Sequence, residues 1–308
     1  MPDTAGRGDS GMMRAVVLTK SGSVDGLVLA EVPKPSPQPN EVLVKVQVAT
    51  VTRGDVVLRK LPRVLSRLFK LGRKTVLGHE FAGEVGALGD EVTRFNVGDR
   101  VFGSTMGLTQ GSHAEYICVP ESGVLATVPA TIKLEEAAAV PVGGLTALYF
   151  LRRANIAPGK SVLVYGASGS VGTFAVQLAA HFGMEVTGVC STSNAELVKS
   201  LGADNVIDYT KGDFTDGGTT YDIVFDAVGT TPARRSRRVL AKDGAYVSIR
   251  GTTAKQRAED LMLLGSLLEA GELRAVVDRS YPLEKVRDAH RYVETGRKRG
   301  NVIITVAS

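Results

Sequence analysis

With 308 residues, 37 Lys and Arg against 32 Asp and Glu, and a net charge of +5, the chain has room for about two domains and is too mildly basic for a nucleic-acid-coating protein. Apolar residues at 44% and charged residues at 22%, with 35 Gly and 12 Pro, exclude the disordered and fibrous classes. Two cysteines, Cys118 and Cys190, exclude a disulfide scaffold and a four-cysteine zinc cluster, and they fit a reducing, cytoplasmic setting.

Residues 1–12 are small, polar and glycine-rich and read as a flexible tail without the apolar core of a signal peptide. From residue 14 the pattern alternates with period two, in RAVVLTK, LVLAEV and EVLVKVQVATV, and continues in EFAGEVGALG, DRVFGS and HAEYICVP. Many short strands separated by glycine turns predict a small β-barrel over residues 13–131. At residue 132 the pattern changes. KLEEAAAVPVGGLTALYFLRRA is alanine- and leucine-rich and ends in a basic turn, which predicts a helix. Its uncharged portion, about 15 residues with an internal proline, is shorter than the roughly 20 that span a bilayer. SVLVYG is then a continuous apolar strand, followed by a helix whose apolar face recurs at Val171, Phe174, Ala175 and Leu178.

The alternation continues through MEVTGVC, helix NAELVKSLGA, DNVIDY, YDIVFDAVG, a helix around ARRSRRVL, and GAYVSIRG. Strand, helix, strand in this order predicts a doubly wound parallel sheet over residues 132–271. The last elements, strand RAVVDRSY, helix LEKVRDAHRYVETG and strand NVIITV, return residues 272–308 to the first domain.

The most specific signal is the passage from the apolar strand into Gly166, Ala167, Ser168, Gly169, Ser170, Val171 and Gly172, where a helix begins. Glycines at a strand-to-helix turn allow close backbone approach, and the helix start favours negative charge, which together suit a dinucleotide diphosphate. About 20 residues past the first glycines, where an NAD site places an acid, the strand ends in Cys190, Ser191, Thr192 and Ser193. Small hydroxyl residues leave room for a 2′-phosphate, so NADPH is expected, with NADH as the alternative. The same hydroxyls can also cap the next helix.

GHEFAGEVGALGDEVTRFNVGDRVFG, EEAAAVPVGGLTALYFL, YGASGSVG and LGADNVIDYT together resemble the medium-chain dehydrogenase/reductases, and within them the zinc-free quinone oxidoreductases related to zeta-crystallin. The resemblance covers residues 13–306. It implies an α/β protein in which a GroES-like β-barrel holds substrate and a Rossmann domain holds NADPH, with a cleft between. It places Thr146 near the nicotinamide, Tyr209 beside the adenosine phosphate, Val228 and Gly229 at the middle of the cofactor, and Asn301 where the returning terminus closes the cleft. Thr52, Asp55 and Arg59, in TVTRGDVVLR, border the nicotinamide and substrate. Thr52 is expected to reach the cofactor ribose or the acceptor oxygen, whereas Asp55 and Arg59 act either in catalysis or as a structural ion pair.

Gly78, His79 and Glu80 match a segment of the zinc-dependent members, but Thr52, Arg53, Val140 and Pro141 stand where further ligands belong, so no zinc is expected. The implied reaction is zinc-independent hydride transfer from NADPH to a quinone or an α,β-unsaturated carbonyl. The alternatives are an enoyl or 2-alkenal reductase, or a cofactor-binding sensor or interaction protein with little turnover. Only TTAKQR separates GAYVSIRG from AEDLMLL, so the Rossmann domain is shortened near residues 251–257 and lacks the late strand that supports subunit pairing, which leaves a homodimer open. The basic stretch from Arg59 to Lys74 reads as a solvated face, and neither nucleic acid nor a membrane surface is expected as a partner.

Overall fold

The computed structural model describes residues 11–62, 75–106, 111–231 and 233–306. β1 (Met12–Leu18), β2 (Leu27–Pro33), β3 (Glu41–Thr50), helix α1 (Arg53–Lys60) and the short β4 (Thr75–Val76) open the barrel. β1 pairs antiparallel with β2 from Met12↔Pro33 to Leu18↔Leu27 and with β4 on its other edge. Met12, assigned to the tail by the sequence pattern, is therefore the first residue of β1. Residues 63–74 of the basic stretch lie outside the described residues.

β5 (Glu80–Leu88), β6 (Arg100–Ser104), β7 (Tyr116–Pro120) and β8 (Val124–Thr127) complete the first run of strands. β3 is the centre of this sheet and pairs antiparallel with β5 on one side. Its other edge is shared: Glu41 to Lys45 pair with β7, and Val48 to Thr50 with the last strand of the chain. Val42, Val44, Val46, Phe81, Val85, Val101 and Leu125 point inward and are buried, which accounts for the period-two pattern.

The helix predicted after residue 133 is two helices, α2 (Leu134–Ala138) and α3 (Pro141–Arg153). Pro141 lacks an N–H and its ring opposes the carbonyl four residues back, so it cannot continue α2 but suits the first position of α3. The second domain follows with β9 (Ser161–Tyr165), α4 (Ser170–His181), β10 (Glu185–Cys190), α5 (Ala195–Ser200), β11 (Asn205–Asp208), β12 (Tyr221–Asp226), α6 (Ala233–Ser236) and β13 (Leu240–Ser248). Its five strands are parallel in the order β11-β10-β9-β12-β13, the dinucleotide-binding arrangement stopped one strand short. The helix expected over 233–240 covers four residues, because Leu240 already pairs with Tyr221 in the sheet. Both faces of the sheet are covered: Val162 and Val164 join the core that α3 and α4 complete, while Leu163 faces Phe214, Val224 and Val239. That is why β9 is apolar without alternation.

α7 (Ala258–Glu269) leads back through β14 (Val277–Pro282) and α8 (Val286–Glu294) to β15 (Asn301–Thr305). β15 lies between β14, to which it is parallel, and β3, to which it is antiparallel. α8 buries Val286, Ala289 and Val293 against the barrel core. Among the described residues, no helix is long and apolar enough to cross a membrane.

Candidate active site

The strand-to-helix turn is built as the glycine spacing requires. Gly166 has φ +81°, and a Cβ there would lie 2.2 Å from Val228 Cγ2. A Cβ on Gly172 would lie 2.1 Å from the Gly166 carbonyl oxygen, so α4 starts in contact with the turn. Gly166 and Ala167 amides donate to Val189 O, and Gly169 N donates to Gly166 O at 3.0 Å. No side chain caps α4, which leaves the amides of its first turn for an anion.

The returning terminus fastens this turn to the barrel. Gly300 N donates to Ser168 O at 2.9 Å, and Ser170 Oγ donates to Asn301 Oδ1 at 2.6 Å. Asn301 Nδ2 donates to Val276 O at 3.2 Å. Asn301 is buried, and through these bonds it ties the turn to the returning strand. Lys298, absent from the sequence-based set, donates from Nζ to Gly300 O, and burial pulls its ammonium down to about 8.

At the adenosine end, Ser191 and Ser193 hydroxyls lie 3.2 Å apart, and Asn194 Nδ2 donates to Ser168 Oγ at 3.1 Å. Thr192 Oγ1 donates to Asp208. Tyr209 is 54% exposed, open to stack against a ligand. The Cys190 thiol is buried and pushed up to about 11 by desolvation. The loop carrying Val228 and Gly229 is shaped by buried Asp226, whose Oδ1 accepts from both amides at 3.1 and 2.9 Å. Thr146 lies in the buried face of α3, one turn beyond Val142.

On the barrel side, Thr52 caps α1 in a reciprocal box with Asp55. Asp55 Oδ2 accepts from Thr52 N and Thr52 Oγ1, both at 2.7 Å. Its Oδ1 accepts from Gly78 N at 3.1 Å and lies 2.8 Å from His79 Nδ1. Burial works against its charge, but His79, with smaller help from His113 and Thr52, outweighs burial and holds Asp55 well below the usual carboxylate range. His79 responds in the opposite sense: burial lowers it, and Asp55 more than compensates and raises it.

The ion pair considered between Asp55 and Arg59 does not form. Arg59, one turn further along the same buried face of α1, instead donates from Nη2 to Glu294 Oε2 on α8 at 2.6 Å. With Asp55 at 0% and Arg59 at 1% exposure, neither is open to a substrate. Asp55 positions Thr52 and His79, and Arg59 joins α1 to α8.

Glu80 reaches across the domain junction, sharing a 2.5 Å hydrogen bond with Thr50 Oγ1 and accepting from Val142 N on α3 at 2.6 Å. Desolvation pushes its carboxyl up to about 7. His113 and His290 lie deeper, with rings 5.9 Å apart at 87°, and burial lowers both, His290 to about 3. Among the described residues, no three His, Cys, Asp or Glu side chains converge as metal ligands.

A glycine turn at the carboxyl edge of a parallel sheet, tied to a barrel strand, defines a two-domain dinucleotide-dependent dehydrogenase or reductase. Residues 38–130 match the family described as alcohol dehydrogenase GroES-like domain, and residues 170–275 and 252–304 match two families described as zinc-binding dehydrogenase. The 2-methylene-furan-3-one reductase of Solanum lycopersicum is 37% identical over 95% of this chain and 79% of that protein. The chloroplastic NADPH-dependent alkenal/one oxidoreductase of Arabidopsis thaliana is 34% identical over 95% of this chain and 79% of that protein. The solved quinone oxidoreductase from Coxiella burnetii superimposes with a TM-score of 0.91 at 30% identity, covering 96% of this chain and 100% of that one. The chain belongs to the medium-chain dehydrogenase/reductase superfamily, among the relatives named quinone and alkenal/one oxidoreductases.

Proposed function

We propose that this chain is a zinc-independent reductase that holds NADPH, with NADH as the alternative, between its two domains and passes a hydride to a quinone or an α,β-unsaturated carbonyl. The observation that carries the reading is a diphosphate-binding turn facing a barrel wall whose donor set does not suit zinc. The names of the relatives, a quinone oxidoreductase, an alkenal/one oxidoreductase and a methylene-furanone reductase, support the acceptor class.

A catalytic zinc takes three protein ligands and keeps one open position. Here His79 could offer one ring nitrogen, its Nδ1 being held by Asp55, but Thr52, Val140 and Pro141 occupy the other ligand positions, so three protein ligands are not assembled. The residues present do not fit a catalytic zinc, and no step is routed through one. The reduced nicotinamide, when bound, supplies the hydride. The protein's part is to anchor the diphosphate on the turn and the first amides of α4, and to hold that turn against the barrel through Gly300, Ser170 and Asn301. A conjugated acceptor spreads incoming charge onto its own oxygen, so the main demand on the chain is alignment of donor and acceptor at about 3–3.5 Å. Thr52 and His79 line the barrel side of that space, oriented by Asp55, and water delivers the proton.

The test is oxidation of NADPH, followed by loss of nicotinamide absorbance, with a para-quinone and separately with an alkenal, each with and without a chelator. Chelator-insensitive turnover of either acceptor is the expected result. Tight NADPH binding without turnover of either acceptor would replace this reading with a cofactor-binding sensor, and ethanol oxidation matching quinone reduction would overturn zinc independence.

A further inference from the structure

In dinucleotide-binding sheets the ribose 2′ position lies at the end of the second strand, where an acid accepts the 2′-hydroxyl of NAD or an arginine accommodates the 2′-phosphate of NADP. Here β10 ends in buried Cys190, and the sequence around it holds no acid. The neighbouring strand supplies one. Cys190 pairs in parallel register with Asp208, the last residue of β11, and Asp208 reaches back over the strand end to the hydroxyl of Thr192.

Three observations define the state of that carboxylate. Its second oxygen accepts from Thr210 N at 2.9 Å and from Thr210 Oγ1 at 2.6 Å. The hydrogen bonds from Thr192 and Thr210 hold the carboxyl down to about 2, so it is ionised across the neutral range. The cation beside it, Lys211, stands 3.8 Å away on a side chain that is 72% exposed, a weak, solvent-screened partner.

This arrangement alters what the hydroxyl cluster offers. A threonine hydroxyl has one proton, and that of Thr192 is given to Asp208, which leaves it only lone pairs to offer a ligand. The Asn194 amide is spent on Ser168 Oγ and Ser191 Oγ, at 3.1 and 3.2 Å. A 2′-hydroxyl can donate to the Asp208 carboxylate or the Thr192 oxygen, while Ser191 and Ser193, sharing one hydrogen bond, keep one hydroxyl proton between them. A 2′-phosphate brings two further negative charges beside a fixed carboxylate.

We propose that Asp208 is the specificity-determining residue at the ribose 2′ position, accepting the 2′-hydroxyl of NADH and opposing the 2′-phosphate of NADPH, so that the chain uses both nucleotides with a weak preference. The inference rests on the dinucleotide-dependent reading above and deepens it.

The experiment uses the full-length chain without acceptor, titrating NADPH and NADH by nicotinamide fluorescence. The unmodified chain is expected to bind the two within about tenfold of each other. Asp208→Asn keeps the size and most hydrogen bonds of the side chain and removes its charge. It is expected to shift the affinity ratio toward NADPH by about tenfold or more, by weakening NADH and tightening NADPH. Asp213→Asn removes a neighbouring carboxylate that is paired with Arg235 instead and serves as the control, with the ratio expected within about threefold of the unmodified chain.

An Asp208→Asn ratio within about twofold of the unmodified chain overturns the assignment, as does an Asp213→Asn shift of equal size. A more than about hundredfold preference for NADPH in the unmodified chain overturns it without any variant. Binding of neither nucleotide to the unmodified chain overturns the dinucleotide reading and this inference with it, whereas binding with an unchanged ratio overturns the inference alone.

Discussion

Two glycines of the phosphate turn are predicted to fail in different ways when each is given a methyl group. On Gly172 the new Cβ would sit 2.1 Å from Gly166 O and 2.8 Å from Ala167 Cα, both backbone atoms that cannot rotate aside. Carbon–oxygen contacts settle near 3.3 Å, so the start of α4 must retreat by about 1 Å. Overpacking of this kind costs about 1–3 kcal/mol, which lowers the melting temperature by about 2–4 °C for each kcal/mol. On Gly169 the backbone is extended, with φ −82° and ψ 176°, and the methyl would meet nothing nearer than Gly166 O at 3.4 Å. Gly169→Ala is therefore expected to leave stability within about 0.5 kcal/mol of the unmodified chain. Its methyl instead occupies the open side of the turn, where the diphosphate approaches, and nucleotide affinity is expected to fall at least about tenfold. Thermal melts and nucleotide titrations on both variants separate the two effects. Wild-type nucleotide affinity in Gly169→Ala would refute the turn as the diphosphate seat, and a wild-type melting temperature in Gly172→Ala would refute the close contact of helix and turn.

Three other perturbations have defined outcomes. Glu80 titrates at about 7 in the folded chain against an ordinary 4.5, so the native state binds extra protons between those values and wild-type stability falls as pH rises through them. Denaturant melts of Glu80→Gln are expected to gain on the wild type by about 3 kcal/mol across that interval, and a pH-independent difference would contradict the raised carboxyl. Glu294→Gln leaves the buried Arg59 guanidinium without its 2.6 Å carboxylate partner; the expected loss is about 2 kcal/mol, discounted because Glu294 is partly exposed, while Lys60→Met costs under about 0.5 kcal/mol. Equal losses in the two variants would show that the buried half of this triad carries no special cost. Asp55→Ala strands the Gly78 and Thr52 amides and is expected to cost about 3 kcal/mol or more. It also removes the group that raises His79, so the imidazole titration, followed by NMR, is expected to move down; an unchanged titration would refute the pairing.

The parts of this molecule legible in the sequence are those encoded by neighbours along the chain. The glycine turn, its apolar strand and the helix after it lie within about 20 residues, and period and spacing suffice to place them. The missing late strand was equally visible, since six residues between GAYVSIRG and AEDLMLL leave no space for it. Pro141 was also a local signal: a proline inside an apolar run ends one helix and starts another. What stayed hidden depends on strand pairing or on packing of distant segments. Asp208 reaches the ribose site only because β11 lies beside β10 in register, and Asp55 and Arg59, neighbours one turn apart on the same face of α1, pair with His79 and Glu294 instead of each other because the fold brings those distant side chains against that face. The contacts of Arg59 with Glu294 and of Glu80 with α3 span separations for which sequence spacing carries no signal.

The position of β15 has a consequence for how the protein is made. On the β3 edge away from β5, Val48, Ala49 and Thr50 are paired by Thr305, Ile304 and Ile303, roughly 250 residues later. At about 5–20 residues per second of synthesis, that edge waits on the order of 10–50 s while the whole parallel-sheet domain is produced. The barrel is begun first and finished last. Until β15 arrives, an apolar strand edge stands open to other nascent chains, and fusions or truncations that delay or remove residues 301–305 should be read first in the yield of soluble protein and only then in its activity.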